Sequence, residues 1–266
     1  MKRILTAIVL LPIFIFIVVS KQHLYFSALT ILAAFLGELE FIEICKKLNI
    51  VVWRVFSLLW AISFLFVAMF PKSLQLEIVI SSGFLVLIII AVFSKMSMKE
   101  KVLSISMTIF GVFYVGFFLA YFIALKSQGD ERGKDLLLLL VFIVWAGDTL
   151  AYIVGSKFGR HKLAPLISPK KSWEGAIANI FASLITAYIS KLTFIQRIEM
   201  KDVIILGLLI SIVGQFGDLF ESIIKRSAEI KDSSNLLPGH GGILDRIDSL
   251  VFTAPILYYY HQVFLK

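Results

Sequence analysis

The chain alternates long apolar blocks with short polar clusters. Blocks at residues 4–20, 24–41, 55–70, 78–94, 102–125, 136–154, 173–190, 203–224 and 249–265 carry almost no charge. They run continuously apolar rather than alternating with period two, and helices of this length cross a hydrocarbon core of about 30 Å. Inside lipid each backbone N–H and C=O must be satisfied within the segment, which selects helices. The pattern predicts an all-α integral membrane protein, a polytopic bundle of about nine transmembrane helices. No low-complexity linker or fixed-period repeat interrupts it, so a single domain over 1–266 is expected. Within it, 1–135 holds N-terminal spans without an assigned role, and 136–266 holds the catalytic spans and their polar loops.

Composition agrees with lipid as the solvent. Hydrophobic residues make up 59% of the 266 and charged residues only 17%, and the mean hydropathy is +0.92, far from soluble domains. One cysteine, Cys45, excludes an internal disulfide, and four scattered histidines form no zinc pattern. The opening Met-Lys-Arg and apolar run resemble a secretory leader, but no small-x-small cleavage site follows, so the run is read as the first span.

The net charge of +8 changes the picture through its distribution. With nine spans, 17 of the 26 Lys and Arg fall on the side of the N-terminus, and the positive-inside rule places that side in the cytoplasm. The excess charge is thereby a topology signal, and no nucleic-acid partner is expected. The loops 155–172 and 225–248 become cytoplasmic. Lys46, Lys47, Lys95, Lys99 and Lys101 need no further role than anchoring at the membrane surface.

Those two loops carry more than anchors. In GSKFGRHKLAPLISPKKSWEG, basic residues including Lys170 and Lys171 alternate with glycines, and Ser172 precedes the next span. Glycine lets backbone N–H groups approach an anion that lysine neutralises, which is the inventory of a phosphate site. Within the spans, Asp148, Asp218 and Glu221 interrupt apolar sequence. A charge at a helix centre costs roughly 2.5–3.5 kcal/mol, so such groups face a cavity, a partner or an ion. Asp218, Glu221, Ser222 and Lys225 recur at i, i+3, i+4 and i+7 and share one helix face. A Glu221–Lys225 ion pair is the simple alternative for part of it. Asp218 has no basic residue within reach on its own helix.

The stretch KDSSNLLPGHGGILDRID, residues 231–248, is a polar segment in a chain otherwise built for lipid. Asp245 and Asp248 are three apart and share the start of a helix. Carboxylates from two helices, Asp218 and Asp245, could converge on a hard cation. Magnesium takes one or two protein carboxylates and completes its shell with phosphate oxygens and water. His240, Gly241 and Gly242 give a donor-rich turn, while Lys225, Arg226, Lys231 and Arg246 supply counter-charge. Phosphoryl or nucleotidyl transfer uses this inventory. A second reading of the residues stays open, a cation-coupled transporter relaying through Asp148, Asp218 and Glu221. A Ser-His-Asp hydrolase does not fit, because Ser222 sits on a helix and not on the strained Gly-x-Ser-x-Gly turn.

The run from Ser222, S-I-I-K-R-S-A-E-I-K-D-S-S-N-L-L-P-G-H-G-G-I-L-D-R-I-D, resembles the signature of the phosphatidate cytidylyltransferases, or CDP-diacylglycerol synthases. The segment GDTLAYIVGSKFGRHKLAPLISPKKSWEG is similar to that family's D-T-x-A-Y, G-[RK] and S-P-K-K-S-W-E-G elements. The matches cover roughly 145–248, and the N-terminal half resembles the family only in being hydrophobic. The resemblance implies an enzyme of the bacterial inner (plasma) membrane that converts CTP and phosphatidate to CDP-diacylglycerol and pyrophosphate. It implies one or two Mg2+ ions at Asp218 and Asp245. It also implies substrate contacts from the motif positions, here Asp148, Lys170, Lys171, Ser172, Ser222, Lys231, Asp232, Gly241, Gly242, Arg246 and Asp248, with Lys225, Arg226 and His240 as catalytic residues beside Asp218 and Asp245. A CTP-dependent polyprenol or lipid-alcohol kinase stays open beside this enzyme. The N-terminal five spans could wall off lipid or form a homodimer interface.

Overall fold

A computed structural model describes residues 2–237, 239 and 241–265. Each expected apolar block is the centre of a helix: α1 (Lys2–Val19), α2 (His23–Lys47), α3 (Arg54–Met69), α4 (Leu76–Phe93), α5 (Met98–Gly111) running through a π-helical stretch (Val112–Phe117) into α6 (Phe118–Lys126), α7 (Asp130–Phe158), α8 (Trp173–Thr193), α9 (Met200–Ser227) and α10 (Leu244–Phe264). Except for α8, the helix over each block begins one to six residues before it, since polar side chains continue a helix as readily as apolar ones. Five of the described helical segments are long and apolar enough to cross a membrane. The protein is therefore an all-α, multi-pass membrane protein. One element lies outside that description: part of the loop 155–172 folds as an antiparallel hairpin of β1 (Lys162–Ala164) and β2 (Ser168–Ser172).

The chain forms two compact units, one of 1–127 with 227–246 and the other of 128–226 with 247–266. In the first, aromatic side chains of α2, α3 and the π-helical stretch interlock. Phe41, Trp60, Phe64, Phe113, Tyr114 and Phe117 meet at ring-centroid distances between 5.3 and 6.4 Å, a range in which edge and tilted contacts are favourable. Gly83 belongs there because a Cβ would lie 2.0 Å from the Trp60 indole. Buried Lys126 donates to Val18 O at 2.6 Å and Ser20 O at 2.9 Å, so an ammonium meets the carbonyls at the end of α1 that lack helical partners.

In the second unit α7 and α8 pack side by side, joined by the β1–β2 hairpin. Ser172 caps α8, its Oγ accepting from Gly175 N at 3.2 Å. The helix ends are close enough that a Cβ on Gly175 would sit 2.9 Å from Ala151 O, and one on Gly159 2.6 Å from Ser172 Oγ. These motif glycines serve helix-to-helix approach around Ser172. Likewise a Cβ on Gly217 would be 2.6 Å from Asp248 O, so bare backbone at Gly217 brings α9 against α10 beside Asp218.

Candidate active site

In the second unit, the polar groups named from sequence gather where α7, α9, α10 and the hairpin carry them. Asp218 of α9 pairs with Lys171 of β2, Nζ to Oδ2 2.7 Å. The basic partner that Asp218 lacks on its own helix comes from the hairpin. Successive strand residues face opposite ways, so the Lys170–Lys171 pair divides: Lys171 is half-buried on Asp218, and Lys170 is exposed. Asp148 of α7 accepts from Asn179 Nδ2 at 3.2 Å. Asp148, Asp218 and Asp248 are near enough for their charges to act on one another, with Glu221 felt at Asp248 and Lys171 at Asp148.

Asn179, which sequence reasoning missed, is the hub behind Asp148. Its Oδ1 accepts from Ser211 Oγ at 2.7 Å and Ser183 Oγ at 3.3 Å, and Gln215 Nε2 donates to Ser211 Oγ at 3.3 Å. An amide at 4% exposure on an apolar helix was the available signal, since buried polar groups are there to be hydrogen-bonded.

Glu221 and Lys225 form the i, i+4 ion pair weighed as the alternative, with side-chain exposures of 1% and 11%. Lys225 is thereby engaged by its own helix. Arg226 Nε donates to Ile167 O at 3.4 Å, tying the end of α9 to the hairpin turn. Ser222 lies half-buried one residue beyond Glu221.

The signature loop belongs to the first unit up to Arg246. Asp245 is buried there, and its Oδ2 accepts from Ser233 N, Ser233 Oγ and Gly242 N, each at 2.8 Å. Lys231, Asp232 and Arg246 are exposed. Gly241 has φ +78°, which L side chains rarely adopt. A Cβ there would lie 2.4 Å from Asp245 Oδ2, and one on Gly242 2.4 Å from Glu40 Oε1. The glycines therefore admit the protein's own carboxylates to the backbone. His240 lies outside the described residues.

Glu40 was also missed. It and Glu38 fall within the second apolar block and are buried, the same anomaly that singled out Asp148. Glu38 accepts from Ser57 Oγ.

Among the described residues no three His, Cys, Asp or Glu side chains form a ready metal cage. A cation completed by substrate phosphates does not need one. In the second unit the carboxyl groups of Asp148, Asp218 and Asp248 act on one another, with Lys171 paired to Asp218 and Lys225 to Glu221. Carboxyl oxygens are the hard donors that magnesium takes beside phosphate oxygens and water.

Fold and site define a class: a multi-pass helical membrane protein that carries carboxylates paired with lysines. A model described as "Cytidylyltransferase family" matches residues 1–264, and the chain belongs to that family. It is 32% identical over 273 residues to the phosphatidate cytidylyltransferase of Bacillus subtilis, covering 99% of this chain and 98% of that one. It is 35% identical over 264 residues to the Staphylococcus haemolyticus protein of the same name, and 36% identical over 266 residues to that of Staphylococcus aureus. Each of those two alignments covers 96% of both chains.

Proposed function

We propose that this chain transfers the cytidylyl group of CTP to phosphatidate, giving CDP-diacylglycerol and pyrophosphate for phospholipid synthesis. The observation that carries it is near full-length similarity to phosphatidate cytidylyltransferases. The Lys171–Asp218 pair, inside the two motif regions, supports it. A phosphatidate phosphate oxygen attacks the α-phosphorus of CTP. The bond from that phosphorus to the bridging oxygen of the β-phosphate breaks, and pyrophosphate leaves. Phosphatidate is already anionic near neutral pH, so no strong base is required, and the acyl chains stay in lipid.

Lys171 and exposed Lys170 neutralise phosphate charge, Lys171 exchanging Asp218 for substrate. Asn179 holds Asp148 in one orientation. Asp218, with Asp148 and Asp248, is the group proposed to hold one or two Mg2+ ions. Bound magnesium would screen the phosphates so that attacking and leaving oxygens can lie in line. Asp245, which the resemblance implies as the second metal ligand, lies in the first unit with its Oδ2 taken by Ser233 and Gly242. It enters here as the residue that closes the signature loop. We extend the architecture to nine crossings in a bacterial inner membrane, with the N-terminus and both motif loops in the cytoplasm.

The test is incubation of detergent-purified protein with phosphatidate, α-labelled CTP and magnesium. Label entering the lipid phase with equimolar pyrophosphate is expected. Release of CDP with transfer of the γ-phosphoryl group would establish a lipid kinase instead. No turnover in detergent combined with uptake into sealed vesicles would establish a transporter.

A further inference from the structure

The N-terminal five spans carry no motif, yet one of their side chains is bonded into the signature loop. Glu40 of α2 is 6% exposed, and both of its oxygens are used twice. Oε1 accepts from Ser234 Oγ at 2.7 Å and Ile243 N at 2.9 Å. Oε2 accepts from Leu244 N at 2.8 Å and lies 2.9 Å from Ser233 Oγ. The Ser233 hydroxyl also lies 2.8 Å from Asp245 Oδ2, so its one proton serves either carboxylate. Ile243 N and Leu244 N are at the N-terminus of α10, where unpaired donors and the helix dipole favour an anion. The anion there is Glu40, 204 residues earlier in the chain. Between them Glu40 and Asp245 take the backbone N–H groups of Ser233, Gly242, Ile243 and Leu244.

We propose that Glu40 is a positioning residue for the transfer reaction: from the N-terminal half it fixes Ser233 and Ser234 at one end of the signature loop and Ile243 and Leu244 at the other, so that these ends and Arg246 beside them are preorganised for CTP phosphate. The inference rests on the cytidylyltransferase reading for its kinetic consequence alone; the order of the loop is read independently. A glutamine at position 40 must turn an NH2 toward either Ile243 N or Leu244 N, and a backbone donor cannot reverse its role. A hydrogen bond to a charged group is worth roughly ten- to a hundredfold in an equilibrium constant.

Hydrogen–deuterium exchange of the full-length protein in detergent, read by mass spectrometry, is the test. In Glu40→Gln the 233–244 amides should exchange about tenfold faster or more, with other helices unchanged and the thermal midpoint kept. In the same samples kcat/KM for CTP should fall about tenfold or more, mainly through KM. Glu43→Gln, on the exposed side of α2, should match wild type in both. Should Glu40→Gln fail to insert, Ser233→Ala/Ser234→Ala removes both hydroxyl donors and should speed exchange of the same amides severalfold. Wild-type exchange across 233–244 in an inserted variant overturns the proposal, as does faster exchange with an unchanged KM for CTP. If wild type itself shows no cytidylyl transfer, the functional reading fails, while loop exchange still reports on Glu40.

Discussion

At the scale of single residues, two ion pairs made by carboxylates of α9 separate substrate chemistry from structure. Lys171 and Asp218 keep 26% and 31% side-chain exposure, and partly exposed pairs contribute only about 0–1 kcal/mol to stability. Lys171→Gln should therefore leave the unfolding midpoint nearly unchanged. It should lower kcat/KM roughly ten- to a hundredfold by removing a charged hydrogen bond to phosphate. Asp218→Asn should abolish turnover at saturating magnesium with the fold retained, and Lys170→Gln should cost less than Lys171→Gln. Equal small losses at both lysines would mean that the loop is basic only because of its topology. Breaking the buried Glu221–Lys225 pair strands a charge, typically about 3–5 kcal/mol. Lys225→Gln is therefore expected to lower stability first, measured by thermal unfolding in detergent. Sequence spacing placed Lys225 and Glu221 on one face; only their burial shows why this pair has a structural cost that Lys171–Asp218 lacks.

At the scale of elements, the α7–α8 contact sets the orientation of Asp148. A Cβ on Gly147 would lie 2.8 Å from Asn179 Oδ1, the atom that receives Ser211 and Ser183. Gly147→Ala should push Asn179 off Asp148. Overpacking of this kind costs about 1–3 kcal/mol, and the loss of activity should exceed that of an alanine at an exposed α7 site outside the motif positions, such as Ile153. Normal turnover in Gly147→Ala would show that Asp148 does not need Asn179. The helices were legible because their apolar runs are continuous. The β1–β2 hairpin was not: its strands are three and five residues long, rich in Lys, Pro and Ser, and carry no period-two apolar face.

For the whole molecule the expected topology follows from charge. Single cysteines at Lys157 and Asn235, both exposed, should resist a membrane-impermeant thiol reagent in intact cells and react after lysis. A cysteine at Lys72, also exposed, should react in both. Native Cys45 is buried, so its background is low. Labelling of the first two in intact cells would reverse the assignment of sides.

The sequence by itself determined the solvent, the helix positions and the family, because each is written in local composition or in contiguous motifs. It also marked Asp148, Asp218 and Glu221, since a carboxylate in an apolar run demands a partner whatever the fold. It passed over Glu40 and Asn179, although burial sets them apart in the same way. Only the tertiary structure decided which partner each buried group takes. Lys171 reaches Asp218 across 47 positions, and Glu40 reaches Leu244 across 204. No helical or strand period spans such distances; they are closed by packing, where a buried polar group settles on whichever complementary group the fold brings within hydrogen-bonding range.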